Sequence, residues 1–342
     1  METIRWHKGI IVTIDQTELP NKLVHLRLRS PGEVAKAIKG MRIRGAPLLG
    51  AAAALALAQA AYRSKAKSRR RLIYDMERVA ELIRSTRPTA VNLFYGVDAV
   101  LDYARRLREE DVGKTVRSVV DRCLELVKRD AEVNLALSKN GAALLGGGET
   151  VLTHCNAGEL ATVQYGTALG VIIQAHRDGK RVEVIATETR PLLQGARLTA
   201  YELRRAGIPV RLISDSAAGL VMQRGMVDRV ILGADRILAT GHVINKIGTY
   251  TLAVLAGENR VPFYVAAPTS TIDPKSTVDG VVIEERSPVE VLEFRGRRVA
   301  PRGVGAFNPA FDITPPKFVS AIVTEKGVSY SPFDELRGWA EA

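Results

Sequence analysis

The feature that most constrains this chain is a rhythm in its second half. Five apolar runs, Val151-Leu152, Val182–Ala186, Val210–Ile213, Val230–Leu232 and Phe263–Ala267, alternate with amphipathic stretches. Those stretches carry helical spacing from about Glu159 to Arg177, Leu192 to Ala206, Ser216 to Arg224 and Ile247 to Gly257. Short apolar runs between turn residues read as buried strands. Strands alternating with helices imply right-handed crossovers and a sheet covered on both faces. The expectation for residues 146–342 is a Rossmann-like, doubly wound, mostly parallel α/β sheet.

The first half has a different texture. Ile10–Ile14 and Leu23–Leu28 alternate like short strands around the turn Asp15–Asn21. Ser30-Pro31-Gly32-Glu33 reads as a capping box, and helical spacing then recurs through about Asn140. Arg63–Arg71 holds six cations in nine residues and reads as a solvated connector between two helices. The Gly146-Gly147-Gly148 triplet breaks the pattern. Residues 1–145 are therefore expected to form a smaller strand-and-helix domain with a linking helix, and 146–342 the catalytic domain. The most apolar stretch, Pro47–Ala61, is too short to span a bilayer and reads as a buried helix. With no secretory signal at Met1–Arg5 and only two cysteines, Cys123 and Cys155, the expectation is a cytoplasmic protein without disulfides.

In an open parallel sheet, ligands bind beyond the carboxyl ends of the strands. Here those ends carry Thr153-His154-Cys155-Asn156, Thr187-Glu188-Thr189-Arg190, Ser214-Asp215-Ser216, Gly233-Ala234-Asp235-Arg236 and Pro268-Thr269-Ser270. Five polar ends in a row point to one shared site. No glycine-rich nucleotide fingerprint is present, and the five histidines show no metal-ligand spacing, so neither cofactor nor metal is expected. Phosphate-binding elements take another form. Arg44-Gly45-Ala46-Pro47 precedes the Ala-rich helix, with Pro47 suited to its first position and the small Gly45 and Ala46 allowing approach to free N–H groups. Asn245-Lys246 offers a second cation at a helix start, and Arg87 a weaker one. Cys155 sits at a strand end where a following helix would stabilise thiolate, or else it is a buried filler. Asp235 is either a helix N-cap or a catalytic carboxyl.

Taken together, RGAP (Arg44–Pro47), THCNAG (Thr153–Gly158), ETRPLLQGARLT (Glu188–Thr199) and GADRI (Gly233–Ile237) resemble the methylthioribose-1-phosphate isomerase family. NKIGTY (Asn245–Tyr250), IEER (Ile283–Arg286), NPAFDITP (Asn308–Pro315) and the opening IRWHKG…IDQTELP extend the likeness almost end to end. The wider superfamily also holds ribose-1,5-bisphosphate isomerases and regulatory subunits of translation initiation factor 2B. Two departures stand out: His242 replaces a common acidic residue, and Leu48-Leu49 replaces a smaller pair. The resemblance implies a cofactor-free aldose–ketose isomerase of methionine salvage, acting on 5-methylthioribose 1-phosphate as a homodimer. It implies Cys155 and Asp235 as the catalytic pair, and Arg44, Gly45, Ala46, Arg87, Gln194, Asn245 and Lys246 as substrate contacts.

The net charge of +12 favours anionic partners without choosing among them. A nucleic-acid binder is disfavoured by 5% aromatic content and the lack of a reading module. A non-catalytic regulatory subunit would be expected to lack the Cys155/Asp235 pair.

Overall fold

A computed structural model of the chain describes residues 1–341. It opens with an antiparallel sheet of β1 (Ile4–His7), β2 (Ile10–Ile14) and β3 (His25–Leu28). Helix α1 (Pro31–Lys39) follows, and half of the expected capping box is present: the Ser30 hydroxyl accepts from the Glu33 N–H, whereas the Glu33 carboxylate accepts from the Arg29 N–H at 2.7 Å and not from that of Ser30. Four helices complete this half: α2 (Ala46–Arg63), α3 (Arg69–Arg84), α4 (Val91–Arg106) and the long α5 (Val112–Ala142). The Ala-rich α2 lies at the centre, and its small side chains let α4 and α5 approach closely. Where α2 meets α4, a methyl group on Gly96 would stand 2.3 Å from the Gly50 carbonyl oxygen. None of the described helices is long and apolar enough to cross a membrane.

Beyond the glycine triplet the chain builds a seven-stranded sheet. In chain order its members are β4 (Thr150–Thr153), β5 (Glu183–Thr187), β6 (Val210–Ile213) and β7 (Arg229–Leu232). A hairpin of β8 (Arg236–Leu238) and β9 (Val243–Lys246) interrupts, before the sheet resumes with β10 (Phe263–Ala266). Helices α6 (Ala168–Arg177), α7 (Ala200–Arg205), α8 (Ala218–Gln223) and α9 (Thr249–Glu258) connect these strands. The short β11 (Ile272–Asp273), α10 (Val289–Leu292), β12 (Glu293–Phe294) and β13 (Arg297–Arg298) lead to β14 (Phe311–Thr314). Strands β15 (Ala321–Thr324) and β16 (Gly327–Tyr330) and helix α11 (Glu335–Glu341) finish the chain.

The spatial order is β16-β15-β10-β7-β4-β5-β6, parallel throughout except for β16. The expected doubly wound sheet is therefore present. Its winding starts at β4, runs outward through β5 and β6, then returns to β7 and runs the other way. The switch point lies between β4 and β7, which pair directly through Val151↔Arg229 and Leu152↔Val230. There the two connections leave in opposite directions and open a crevice. Apolar side chains fill both sides of the sheet, Leu152, Val230 and Val265 on one and Val151, Ile231 and Ala266 on the other.

Several local expectations need correction. The stretch from Glu159 is not one helix. A single 3-10 turn at Glu159–Ala161 and a loop precede α6, because Tyr165 and Gly166 both take left-handed φ, 71° and 83°, and interrupt it. The helix expected from Leu192 to Ala206 is π-helical over Gly195–Thr199 and becomes α-helical only at Ala200. Asn245 and Lys246 are strand residues of β9, not a helix start, since α9 begins at Thr249. Asp235 heads strand β8, so its N-cap reading falls. Pro47 is the second residue of α2, and Arg69–Arg71 form the first turn of α3, leaving only 64–68 as connector. His242 sits in the β8–β9 turn, where Nδ1 pairs with the Thr240 hydroxyl at 2.9 Å.

Candidate active site

Cys155 follows β4 and Asp235 follows β7, so the switch point places these two residues on neighbouring strand ends. Both are half-buried and line one pocket with Arg44, Gly45, Ala46, Arg87, Gln194, Asn245 and Lys246. Every residue carried over by resemblance is therefore brought together. Sequence reasoning did not assign several other wall residues a role, among them Met41, Thr167 and Phe311.

Two elements deliver the Asp235 side. The β8–β9 hairpin folds back so that the Asp235 N–H donates to the Ile244 carbonyl at 3.0 Å, which puts Asn245 and Lys246 beside the carboxyl. Strand β14 pairs with β9 in the register Phe311↔Lys246, and the Lys246 ammonium stands 4.8 Å over the Phe311 ring while donating to the Ala310 carbonyl. The Asp235 carboxyl accepts no hydrogen bond and forms no ion pair among the described residues, so it is free to meet a ligand. Burial pushes its pKa up, with Lys246, Arg87 and Arg44 pulling the other way.

The Cys155 side is held more tightly. Cys155 adopts a left-handed φ of 59°, a conformation a non-glycine residue keeps only when its surroundings insist. Its N–H donates to the Thr189 hydroxyl at 2.8 Å, and its carbonyl accepts from the Thr199 hydroxyl at 2.6 Å. The carboxylate of Asp215 in turn accepts the Thr189 and Arg190 N–H groups, each at 2.7 Å. Gly195 is required here, because a methyl group would stand 1.8 Å from the Thr187 carbonyl oxygen. The π-helical turn that follows it brings Gln194 to the pocket with its side-chain oxygen buried and unpartnered.

The helix start expected beside Cys155 is absent. Burial pushes the thiol up, Lys246 and Arg44 pull it down, and Asp235 pushes it further up. The neighbouring His154 is buried and accounted for, with Nδ1 against the Thr187 hydroxyl at 2.6 Å and Nε2 against the Ile247 carbonyl at 2.9 Å.

Arg44 reaches the pocket from the other half of the chain. Its guanidinium donates to the side chain and the carbonyl of Asn156, at 2.5 and 2.8 Å. Gly45 caps α2 with φ 107°, and a methyl group there would lie 2.4 Å from the Ala161 Cα. Bare backbone is thus what lets the start of α2 approach the Cys155 turn, where the helix dipole favours an anion. Arg87 keeps its Nε unpartnered and contacts Glu284 of the IEER segment at 3.4 Å.

Two recesses adjoin the pocket. One is largely apolar, with Leu49, Ala90, Ile244, Val281, Val282 and Phe311 around it. The other holds Lys39, Arg44, Arg197 and Arg286, and all of these but Lys39 are already engaged by protein groups. Arg286 pairs with Glu284 and Glu290, and Arg197 donates to the carbonyls of Gln16, Thr17 and Leu19. No cluster of three or more His, Cys, Asp or Glu side chains suited to a metal ion occurs among the described residues.

Compared with known proteins, residues 42–331 match the initiation factor 2 subunit family. The chain is 48% identical over 336 residues to the methylthioribose-1-phosphate isomerase of Acetivibrio thermocellus, covering 98% of each chain. It superposes with a TM-score of 0.90 on the 5-methylthioribose 1-phosphate isomerase of Pyrococcus horikoshii OT3, at 43% identity over 99% of this chain and 96% of that one. A structure from A. fulgidus, solved as subunit delta of translation initiation factor eIF-2B, superposes with a TM-score of 0.87 at 45% identity, covering the whole of both chains.

Proposed function

The chain belongs to the initiation factor 2 subunit family, and from that premise we propose that it converts 5-methylthioribose 1-phosphate to 5-methylthioribulose 1-phosphate, an aldose–ketose isomerisation of methionine salvage. The observation that carries the proposal is an unpartnered, half-buried Asp235 facing the same pocket as Cys155, with Arg44, Arg87 and Lys246 around them.

The chemistry follows from the substrate. Its anomeric oxygen carries phosphate, so the ring opens only when the ring oxygen is protonated. Burial keeps Asp235 protonated to higher pH than an ordinary carboxyl, which suits it to give that proton. Breaking the ring bond leaves C1 electron-poor. Either Cys155 as thiolate removes the C2 proton to give an enol phosphate, or the C2 hydrogen moves to C1 with its electron pair. Burial pushes the Cys155 thiol up while Lys246 and Arg44 pull it down, and the hydride route is the one we propose. In that route Asp235, left as carboxylate by the first step, takes the proton of the C2 hydroxyl as the carbonyl forms. It ends protonated, as it began. Turnover in D2O is expected to leave C1 free of solvent deuterium; deuterium at C1 would return the step to the thiolate.

We assign the phosphate to Arg44, the start of α2 at Gly45-Ala46, Arg87, Gln194, Asn245 and Lys246, and the 5-methylthio group to the apolar recess. The adjoining cations of Arg197 and Arg286 are occupied by protein groups, which leaves little to hold a 5-phosphate. A well-packed apolar group is worth roughly 1–3 kcal/mol of discrimination, so kcat/KM should exceed that for the 5-hydroxyl sugar by roughly 10–200-fold. A higher kcat/KM with ribose 1,5-bisphosphate would overturn the assignment. The same reading carries two units, residues 1–145 and 146–342: the helical half has its own apolar core, while Leu137 and Ala142 at the end of α5, and Leu145 just beyond it, pack into the core beside the sheet. It also carries cytoplasmic location and a homodimer, for which exposed Leu212, Leu220, Val289 and Phe294 offer apolar surface. Light scattering on the purified chain tests the dimer.

A further inference from the structure

We infer that Glu202 is a positioning residue for this reaction, acting through Asn156 on both Arg44 and the turn that carries Cys155. The inference rests on the assignment of Arg44 to phosphate made above. Glu202 lies on α7, outside the pocket wall, and nothing in its own surroundings gives it contact with substrate. Yet it is 4% exposed, and so is Asn156; Arg44 is 8% exposed. A carboxyl is left so deeply buried only where donors compensate its desolvation.

Those donors all come from the turn after β4. The Asn156 side-chain N–H2 donates to Glu202 Oε1 at 2.8 Å, the Glu159 N–H to Oε2 at 2.5 Å, and the Leu160 N–H to Oε1 at 3.4 Å. The approach needs bare backbone, since a methyl group on Gly158 would stand 2.3 Å from Oε2. Beyond this first contact the consequence is directional. Facing three N–H donors, the Glu202 carboxyl acts as an acceptor and holds the Asn156 amide with its N–H2 toward Glu202 and its oxygen toward Arg44. That oxygen receives Arg44 Nη1 at 2.5 Å, while the Asn156 carbonyl receives Nη2 at 2.8 Å. Asn156 is also the residue after the left-handed Cys155. One buried carboxylate thus orients an amide that fixes a guanidinium from the other half of the chain, and pins the turn on which the thiol stands.

Glu202→Gln keeps the size but replaces one acceptor oxygen with an N–H2, which meets a donor whichever way it points. The assay follows kcat, KM and the Ki of inorganic phosphate as a competitive inhibitor, per folded molecule. Loss of one charged hydrogen bond in the relay predicts a rise in phosphate Ki and KM of about tenfold, with a comparable fall in kcat. The double variant Asn156→Asp/Glu202→Gln reverses donor and acceptor along the same line, and is expected to bring Ki back to within about threefold of the parent. A merely structural Glu202 would lower the melting temperature and leave Ki, KM and kcat at parental values in the single variant. That result overturns the inference. Should the single variant not fold, the folded double variant decides alone, a Ki still tenfold raised counting against the relay. Arg44→Lys separates the premises: unchanged phosphate Ki there refutes the assignment of Arg44, whereas a raised Ki there beside a parental one in Glu202→Gln refutes the relay only.

Discussion

Gly45→Ala is the sharpest structural test, because two separate costs can be worked out for it. Gly45 holds φ 107°, a region closed to side chains, and forcing an alanine to stay there costs about 1–3 kcal/mol. The new methyl would also lie 2.4 Å from the Ala161 Cα and 2.7 Å from its carbonyl oxygen. Carbon atoms settle at about 3.5–4 Å, so α2 and the Glu159–Ala161 turn must part by about 1 Å, an overpacking cost of about 1–3 kcal/mol. The sum, about 2–6 kcal/mol, should lower Tm by roughly 3–8 °C for a chain of this length. Gly148→Ala supplies the comparison. Gly148 also has positive φ, 78°, but nothing stands within 4 Å of the added methyl. It should cost only about 1–2 kcal/mol, and activity should not change. In Gly45→Ala the displaced start of α2 should lower kcat/KM by at least about tenfold, since 1.4 kcal/mol of lost phosphate binding suffices. Thermal melts and steady-state kinetics on both variants decide. Equal Tm values for the two, with parental kcat/KM in Gly45→Ala, would refute the close-approach argument.

Two further outcomes follow from the same structure. Burial pushes Asp130 and Asp312 up to about 6 and Glu202 to about 7. Raised carboxyls contribute stability that is full below their unfolded values near 4 and lost as pH rises through 6–7, so denaturant stability should fall from about pH 4 to 7 and level off above. Asp130→Asn should flatten that slope; a slope of the opposite sign would contradict the burial argument. Activity should survive exhaustive dialysis against chelator, and restoration of lost activity by a divalent metal would show that the site had been misread.

What was legible in the sequence was whatever repeats or punctuates. Apolar runs marked five of the seven strands of the main sheet, all but β15 and β16, and the motif residues marked the strand ends, so the doubly wound sheet and the family resemblance are borne out. The β8–β9 hairpin was missed, although Arg236-Ile237-Leu238 and Val243-Ile244 flank a Thr-Gly turn that signals it. Its strands are too short to stand out from the helix expected behind them. The helix start expected beside Cys155 is absent because Tyr165 and Gly166, at φ 71° and 83°, break the stretch before α6. Glu202 was invisible for another reason. Its importance comes from burial against a turn 42 to 46 residues earlier, and no local pattern records that. The switch-point pairing of β4 with β7 was likewise beyond reach, since strand order is set by packing and not by spacing.

The central claim is that the switch point holds an acid able to open a phosphorylated sugar ring. Turnover of 5-methylthioribose 1-phosphate by Asp235→Asn tests it most directly. Asparagine keeps the shape and the pocket but has no proton to give, so kcat should fall by at least roughly a hundredfold, with KM changed far less because the phosphate contacts remain. A folded Asp235→Asn protein that turns over near the parental rate would contradict the account.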